Sequence, residues 1–413
     1  MIQDAFVAVL RIGKTVVLRK LRKRKDLFLS EGYSAQSYRE LNHDIFFGYY
    51  DVTPFNETES KMLACRRSRS AKISIQRKLV LEVGYFDLEQ NHMNFHMVGE
   101  TTTWSWQMAA RLQWLPKSGR ELVIFNKNHG SDAGAEIIDV TTNTVEAQFK
   151  KPIFSVDPSG QKALSLNFAR LEQMRPGYGF IVDNQQISKD NAPVDDGIFL
   201  LNLHSGQADL VFSLRQAAEL KPQASMIGAR HYFNHLVWNP DGKRALLFHI
   251  WQNSGERNIR VITLDTDNWT PFLLTNENHV SHYCYLDAQR LLLYCTYKGL
   301  QGYHVFRDSF GYEETFPVCD KLGDGHPSQH PKSDRVLTDT MINSFGERDL
   351  LLINCDGETR RIGSFATHLW APRAQRCDLH PRWSPTGNLI SLDTTHTGKR
   401  EMLVVKSKNN KWG

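Results

Sequence analysis

Asp324-Gly-His-Pro-Ser-Gln-His-Pro-Lys-Ser-Asp-Arg-Val-Leu-Thr-Asp339 is the stretch on which the reading of this chain turns. Two others share its layout, Asn234-His-Leu-Val-Trp-Asn-Pro-Asp-Gly-Lys-Arg-Ala-Leu-Leu-Phe248 and Asp378-Leu-His-Pro-Arg-Trp-Ser-Pro-Thr-Gly-Asn-Leu-Ile-Ser-Leu392. Superposing Pro331, Pro240 and Pro385 puts a histidine five residues earlier each time: His326, His235 and His380. Only 16 of 413 residues are histidine, so agreement at one register points to a repeated unit.

The unit is a proline, two or three turn residues, then an apolar strand. It recurs at Pro54, Pro116 and Pro158, and in degenerate form at Leu286-Asp-Ala-Gln-Arg-Leu-Leu-Leu-Tyr294, making seven copies. Trp114, Trp238 and Trp383 each stand two residues before the proline and support the alignment independently. Spacings run from 42 residues (Pro116 to Pro158) to 82 (Pro158 to Pro240), the lower values matching one four-stranded propeller blade. Strand-like runs rich in branched residues fill the intervals: Lys61–Cys65, Leu122–Phe125, Ala163–Leu166, Ile198–Asn202, Ile259–Thr263, Arg290–Tyr294, Leu350–Ile353 and Met402–Val405. Seven such blades closed into a ring leave no open sheet edge. The expected fold is therefore all-β, a seven-bladed β-propeller over 41–413, preceded by a basic amphipathic helix and linker over 1–40.

The leader accounts for the charge. Residues 1–30 hold eight Lys/Arg against Asp4 and Asp26, a local +6 within a net +5, so the remainder is close to neutral. That excludes the general basic character expected of a nucleic-acid binder. Over residues 2–25, Phe6, Leu10, Ile12, Val16, Val17 and Leu21 fall near helical spacing with cations opposite. Such a helix suits an anionic membrane surface, or a neighbouring protein surface. No stretch is long and apolar enough for a transmembrane helix, and the N-terminus lacks the pattern of a signal peptide. Six cysteines without a C-x-x-C pair fit a reducing compartment. The expected location is cytoplasmic, peripheral at the inner membrane face.

In a propeller the innermost strand of each blade lines the central channel. The register position then brings Tyr49, Arg111, Ile153, His235, Ser281 or His282, His326 and His380 to one mouth. Blade five lacks the proline, and a one-residue slip there selects His282. Converging neutral imidazoles make a transition-metal site, with His330 and Gln329 behind them. The alternative is a set of histidines that each bond their own blade's backbone. Trp104-Ser-Trp106-Gln107, with Tyr50 and Arg111, offers sugar-stacking rings and polar groups, or blade-packing core. His129 ends a strand in a polar run, and Arg170, Arg175 and Tyr178 lie in the long insertion of blade three, where a guanidinium matches a carboxylate. No nucleotide-binding glycine loop, G-x-S-x-G elbow or kinase signature is present.

On Tyr49-Tyr-Asp-Val-Thr-Pro54, Arg111-Leu-Gln-Trp-Leu-Pro116, Arg175-Pro-Gly-Tyr178, Asn234-His-Leu236, Ser281-His282, Asp324-Gly-His-Pro-Ser328 and Cys377-Asp-Leu-His-Pro-Arg-Trp383, most of residues 40–406 resembles the β-propeller polysaccharide lyases. These are the oligogalacturonate, ulvan and rhamnosyl-glucuronate lyases. The resemblance implies β-elimination on a uronate, with a divalent metal, Mn or Zn, held by His282, His326, Gln329 and His380. It implies proton transfer by His235, His129 and Tyr178, and carboxylate binding by Arg170 or Arg175, with Trp106, Gln107, Arg111 and Tyr50 contacting sugar. Where the ulvan lyases carry paired catalytic histidines, this chain has Gln107-Met-Ala-Ala110, a departure that leaves only His129 on blade two. The expected function is a lyase-like enzyme on a uronate-containing oligosaccharide. The competing reading is a non-catalytic carbohydrate-binding or scaffolding propeller serving glycan assembly at the membrane.

Overall fold

The computed structural model describes residues 12–20, 25–69, 79–90, 93–182, 187–253, 255–276, 279–318, 322–369, 373–408 and 412. Seven antiparallel sheets succeed one another along the chain as the blades of a propeller. Each of the eight runs read as strands from sequence overlaps an observed strand. The innermost strands carry the repeat: Gln113–Trp114 in blade 2, Ser155–Val156 in blade 3, Arg230–Trp238 in blade 4, Val280–Tyr285 in blade 5, Ser328–Gln329 in blade 6 and Arg382–Trp383 in blade 7. Blade 1 opens with His43–Phe46.

The repeated residues have separate structural duties. In Pro158-Ser-Gly160, Pro240-Asp-Gly242 and Pro385-Thr-Gly387 the glycine takes a left-handed φ of 74°, 77° and 80°. Glycine adopts that conformation without steric cost, which lets the turn close. Each tryptophan ties its blade to another across the channel wall. Trp114 Nε1 donates to Pro54 O at 2.8 Å, Trp238 Nε1 to Ser155 O at 3.3 Å and Trp383 Nε1 to Ser328 O at 3.2 Å. Middle strands are buried on both faces between neighbouring blades, as in Ala245–Trp251, whereas the outermost Thr144–Phe149 and Gly311–Thr315 are largely exposed. That is why the inner runs read as near-continuous apolar segments.

Closure of the ring alters the expected domain boundary. Tyr33–Tyr38 pairs with Glu401–Ser407, completing blade 7 from the N-terminal side. Leu27–Leu29 pairs with Thr359–Ala366 as a fifth strand on blade 6. Residues 27–38 thus belong to the ring, not to a leader ending at 40, because the last blades need their outer edges covered. Of the predicted 2–25 helix, 12–20 is described and helical, Lys25 is described and not helical, and 2–11 and 21–24 lie outside the described residues. Arg19 clips it to blade 6, donating to Phe345 O at 3.1 Å and to Glu347 at 3.2 Å.

Candidate active site at the histidine mouth

The register position is marked by backbone irregularity. Arg111, His235 and His380 have positive φ (54°, 52° and 44°), uncommon for residues with a Cβ. The blade 4 ladder shifts register between Asn234 and Leu236, and the blade 5 ladder between Val280 and Tyr283. Such bulges re-aim a side chain, here into the ring axis. The blade 5 irregularity spans one residue more, so His282 joins the set. The rings of His282 and His326 lie 4.2 Å apart between centroids, and those of His326 and His380 lie 4.4 Å apart. Tyr49 touches His235, His326 and His380 at 5.2, 6.1 and 4.8 Å. Imidazoles from blades 4 to 7, far apart along the chain, share one pocket.

Second partners fix the orientation of three rings. His326 Nδ1 faces the Asp339 carboxylate at 2.8 Å, His282 Nδ1 faces Asp324 at 2.8 Å, and His380 Nδ1 faces Gly48 O at 2.7 Å. A ring whose Nδ1–H donates in this way presents Nε2 as a bare acceptor, the arrangement found in metal-ligating histidines. His326 Nε2 and His380 Nε2 are buried without a hydrogen-bond partner. Together with an Asp378 oxygen, these ligand atoms lie within 4.8 Å of one another. Burial depresses the proton affinity of His235, His282 and His380, outweighing Asp324 at His282 and Asp378 at His380. They remain neutral, the form that binds a metal. Two imidazoles and one carboxylate suit Mn, Fe or Zn.

The carboxylates are anchored in turn. Asp339 also accepts from the His326 and Leu379 backbone N–H groups, joining blades 6 and 7. Asp378 pairs with Arg348 at 2.5 Å and Arg376 at 2.8 Å. Burial alone would raise its carboxyl, but Arg348 and Arg376 hold it well below the usual carboxylate range. At the seam with blade 1, Arg382 donates to Tyr49 O and pairs with Asp393, which accepts from Phe47 N and Gly48 N.

Two phenols at this mouth are displaced in opposite directions. Burial raises Tyr49 well above the ordinary range, and its hydroxyl has no partner. Burial pushes Tyr178 the same way, but Arg175 and Arg376 outweigh it and leave Tyr178 lowered. Arg376 Nη2 donates to its hydroxyl at 2.7 Å, and the Arg175 guanidinium lies 3.9 Å from its ring. The two rings are 6.4 Å apart. Three segments roof the cluster. Gln107 donates to Ala374 O and Arg376 O, and its N–H bonds Gly177 O, stitching together the blade 1–2 connection, the blade 3 insertion and the blade 6–7 connection.

No protein-family model matches this chain, and no curated protein matches its sequence. Solved structures do. The oligogalacturonate lyase of Vibrio parahaemolyticus superposes with a TM-score of 0.62 at 8% identity, over 93% of this chain and 98% of that one. An oligogalacturonate lyase in complex with manganese gives 0.42 at 12%, over 92% and 98%. The propeller domain of a Pyrococcus furiosus protease gives 0.48 at 12%, over 84% and 90%. The likeness is one of fold.

Several residues expected to serve the site lie elsewhere or are already engaged within the fold. Arg170 is 1% exposed and donates to the carbonyls of His231, Ser188, Asp190 and Asn191, so it braces its own insertion. His129 sits on the second strand of blade 2 with Nε2 against Ala135 O at 3.2 Å, one strand removed from the axis. Gln329 follows His326 by three residues, about 10 Å down a strand. Its amide donates to His330 O and Ser333 O, and it lines a ≈ 510 Å³ cavity on the proline-turn side. Trp106 stacks on Phe46 beneath Arg400, as core packing. Arg111 is closed in a buried pair with Asp51 at 2.9 Å. Tyr50 Oη exchanges hydrogen bonds with the Tyr283 backbone, and Tyr50 stands between that cavity and the histidines. Asp378 and Arg376 were not singled out from sequence, and Tyr49 was placed at the mouth without a role. The Asp-x-His spacing of Asp324/His326 and Asp378/His380 was the available signal.

Proposed function

We propose that the histidine mouth eliminates across a uronate in an acidic oligosaccharide. The observation carrying this reading is the placing of Tyr178, held by Arg376 and covered by Arg175, 6.4 Å from the unpartnered Tyr49 and beside bare imidazole nitrogens. Groups whose environments push their acidities apart identify the base and the acid of a site. Tyr178, whose phenol Arg175 and Arg376 make more acidic, removes the proton α to the carboxylate in its deprotonated form. The electron pair forms the ring double bond, and the bond to the 4-linked sugar oxygen breaks. Tyr49 gives its proton to the departing oxygen, and neutral His235, its ring 5.2 Å away, relays a proton back to it. Arg175 is half-buried with no carboxylate within ion-pair distance among the described residues, which leaves it for the substrate carboxylate.

His326, His380 and Asp378 fit a divalent cation, with His282 adjacent. Such a cation supplies positive charge where the carboxylate gains electron density. Tyr49, Tyr178, His235, His326 and His380 are each at most 3% exposed, so the roof over them must part before an oligosaccharide enters. The test is the ultraviolet absorbance of an unsaturated uronate when the full chain meets oligogalacturonate with Mn or Zn. The wild type should generate it, and Tyr178→Phe should lose about 10²–10⁴ of the rate, the range for a general base. Cleavage without the unsaturated product, or full activity in Tyr178→Phe, would contradict the assignment.

A further inference from the structure

Independently of any reaction, we infer that the whole histidine-mouth face seats on an anionic lipid bilayer. Each innermost strand begins at the mouth and ends at the proline turn. The connections from second to third strand, and from one blade to the next, therefore lie on the mouth face. Blade 6 makes this concrete: Asp339 ends the second strand on His326, and Met341 and Ile342 follow immediately.

Among the described residues, seven large apolar side chains are more than half exposed. Five of them lie on this one face. Leu41 (77%) is in the blade 7-to-1 connection, Val194 (65%) in the blade 3 insertion and Ile227 (78%) in the blade 3-to-4 connection. Met341 (57%) is in the blade 6 turn. Val17 (55%) is on the helix that Arg19 clips to the same turn. Of the other two, Val145 is on an outermost strand and Phe310 on the opposite face.

Single exposed apolar residues are ordinary, but tips concentrated on one face mark a contact surface. These tips are spread round the ring rather than gathered in a patch. A broad surface such as a bilayer reaches tips spread in this way, whereas a compact protein partner would engage only some of them. Helix 12–20 turns Ile12, Thr15, Leu18 and Arg19 toward the propeller and leaves Val16 and Val17 outward between exposed Lys14 and Lys20. On this helix, apolar tips flanked by Lys14 and Lys20 match an anionic bilayer, each cation adding attraction to the surface, while the ring tips contribute apolar contact.

The test is co-sedimentation of the full chain with phosphatidylcholine vesicles, with and without phosphatidylserine. Binding should require phosphatidylserine. It should fall about fivefold for each of Lys14→Gln and Lys20→Gln, and about tenfold for each of Leu41→Asp, Ile227→Asp and Met341→Asp. Phe310→Asp, on the opposite face, should bind as the wild type does. All of these side chains are exposed, and unchanged melting temperatures confirm intact folds. The inference is overturned if the wild type stays in solution, or if Phe310→Asp weakens binding as much as the mouth-face variants. It is also overturned if the lysine variants lose binding while the apolar variants keep it, which would indicate a purely electrostatic polyanion surface.

Discussion

Replacing Asp378 with asparagine removes a charge on which stability and the site both depend. The carboxylate is 3% exposed and pairs with Arg348, whose side chain is also 3% exposed, and with Arg376. After Asp378→Asn, Arg348 has only neutral acceptors, Thr340 O and the amide oxygen, so its charge is stranded, and its Nε has no partner in either case. Breaking a buried ion pair from one side costs about 3–5 kcal/mol. A chain of 413 residues melting as one unit has an unfolding entropy near 0.9 kcal/mol/K. The expected loss is therefore about 3–6 °C in Tm. Adding Arg348→Met removes the stranded cation and should recover roughly half of that loss, without restoring metal binding. The pH dependence has a definite sign. Asp378 is held far below its unfolded value, so its contribution is complete above about pH 4 and is lost as pH falls below that. The gap between wild type and Asp378→Asn should narrow on acidification. Calorimetric melts decide it: a single variant within 1 °C (roughly 1 kcal/mol) of wild type, or a double variant melting no higher than the single, would refute the reasoning.

Arg376→Gln removes one cation and one hydrogen bond from Tyr178, so its phenol should rise. Because the base acts deprotonated, the ascending limb of the elimination rate should move to higher pH with the plateau unchanged; an unmoved limb rejects Tyr178 as base. Away from the mouth, burial pushes His231 down to about 4, with Arg260 and Arg170 assisting, while its Nδ1 faces His249 at 2.8 Å. The unfolded chain binds this proton first, so stability should be full above pH 6.5 and fall by up to about 3 kcal/mol toward pH 4. Urea midpoints across that range should flatten in His231→Asn by this amount, and an unchanged slope would assign the effect elsewhere.

The ring of blades was legible because proline turns, tryptophans and histidines recur at fixed offsets, and each offset has a geometric cause. Trp114, Trp238 and Trp383 bond other blades, and the glycine after each turn occupies a left-handed position. The meeting of His326 and His380 followed from the same offset, and that of His282 from a one-residue slip of it. What register cannot convey is distance from the axis. Gln329 shares a strand with the site but points further down the channel, and His129 belongs to a second strand. Nor does sequence reveal which arginines are already paired. Arg170 and Arg111 meet carbonyls and a carboxylate within the fold, while Arg376, from an irregular connection with no repeat signature, reaches Tyr178 198 residues away. The N-terminal strands were absorbed into the ring because closure, a property of the whole circle, recruits Leu27–Leu29 and Tyr33–Tyr38.

Metal content bears most directly on the shared imidazole pocket. The full chain equilibrated with Mn or Zn and freed of excess should retain about one ion per chain, the number one His₂-carboxylate set holds. His326→Gln with His380→Gln should abolish retention, and His129→Gln should leave it intact. A wild-type chain that holds no ion, or a double variant that holds as much as wild type, would contradict the site.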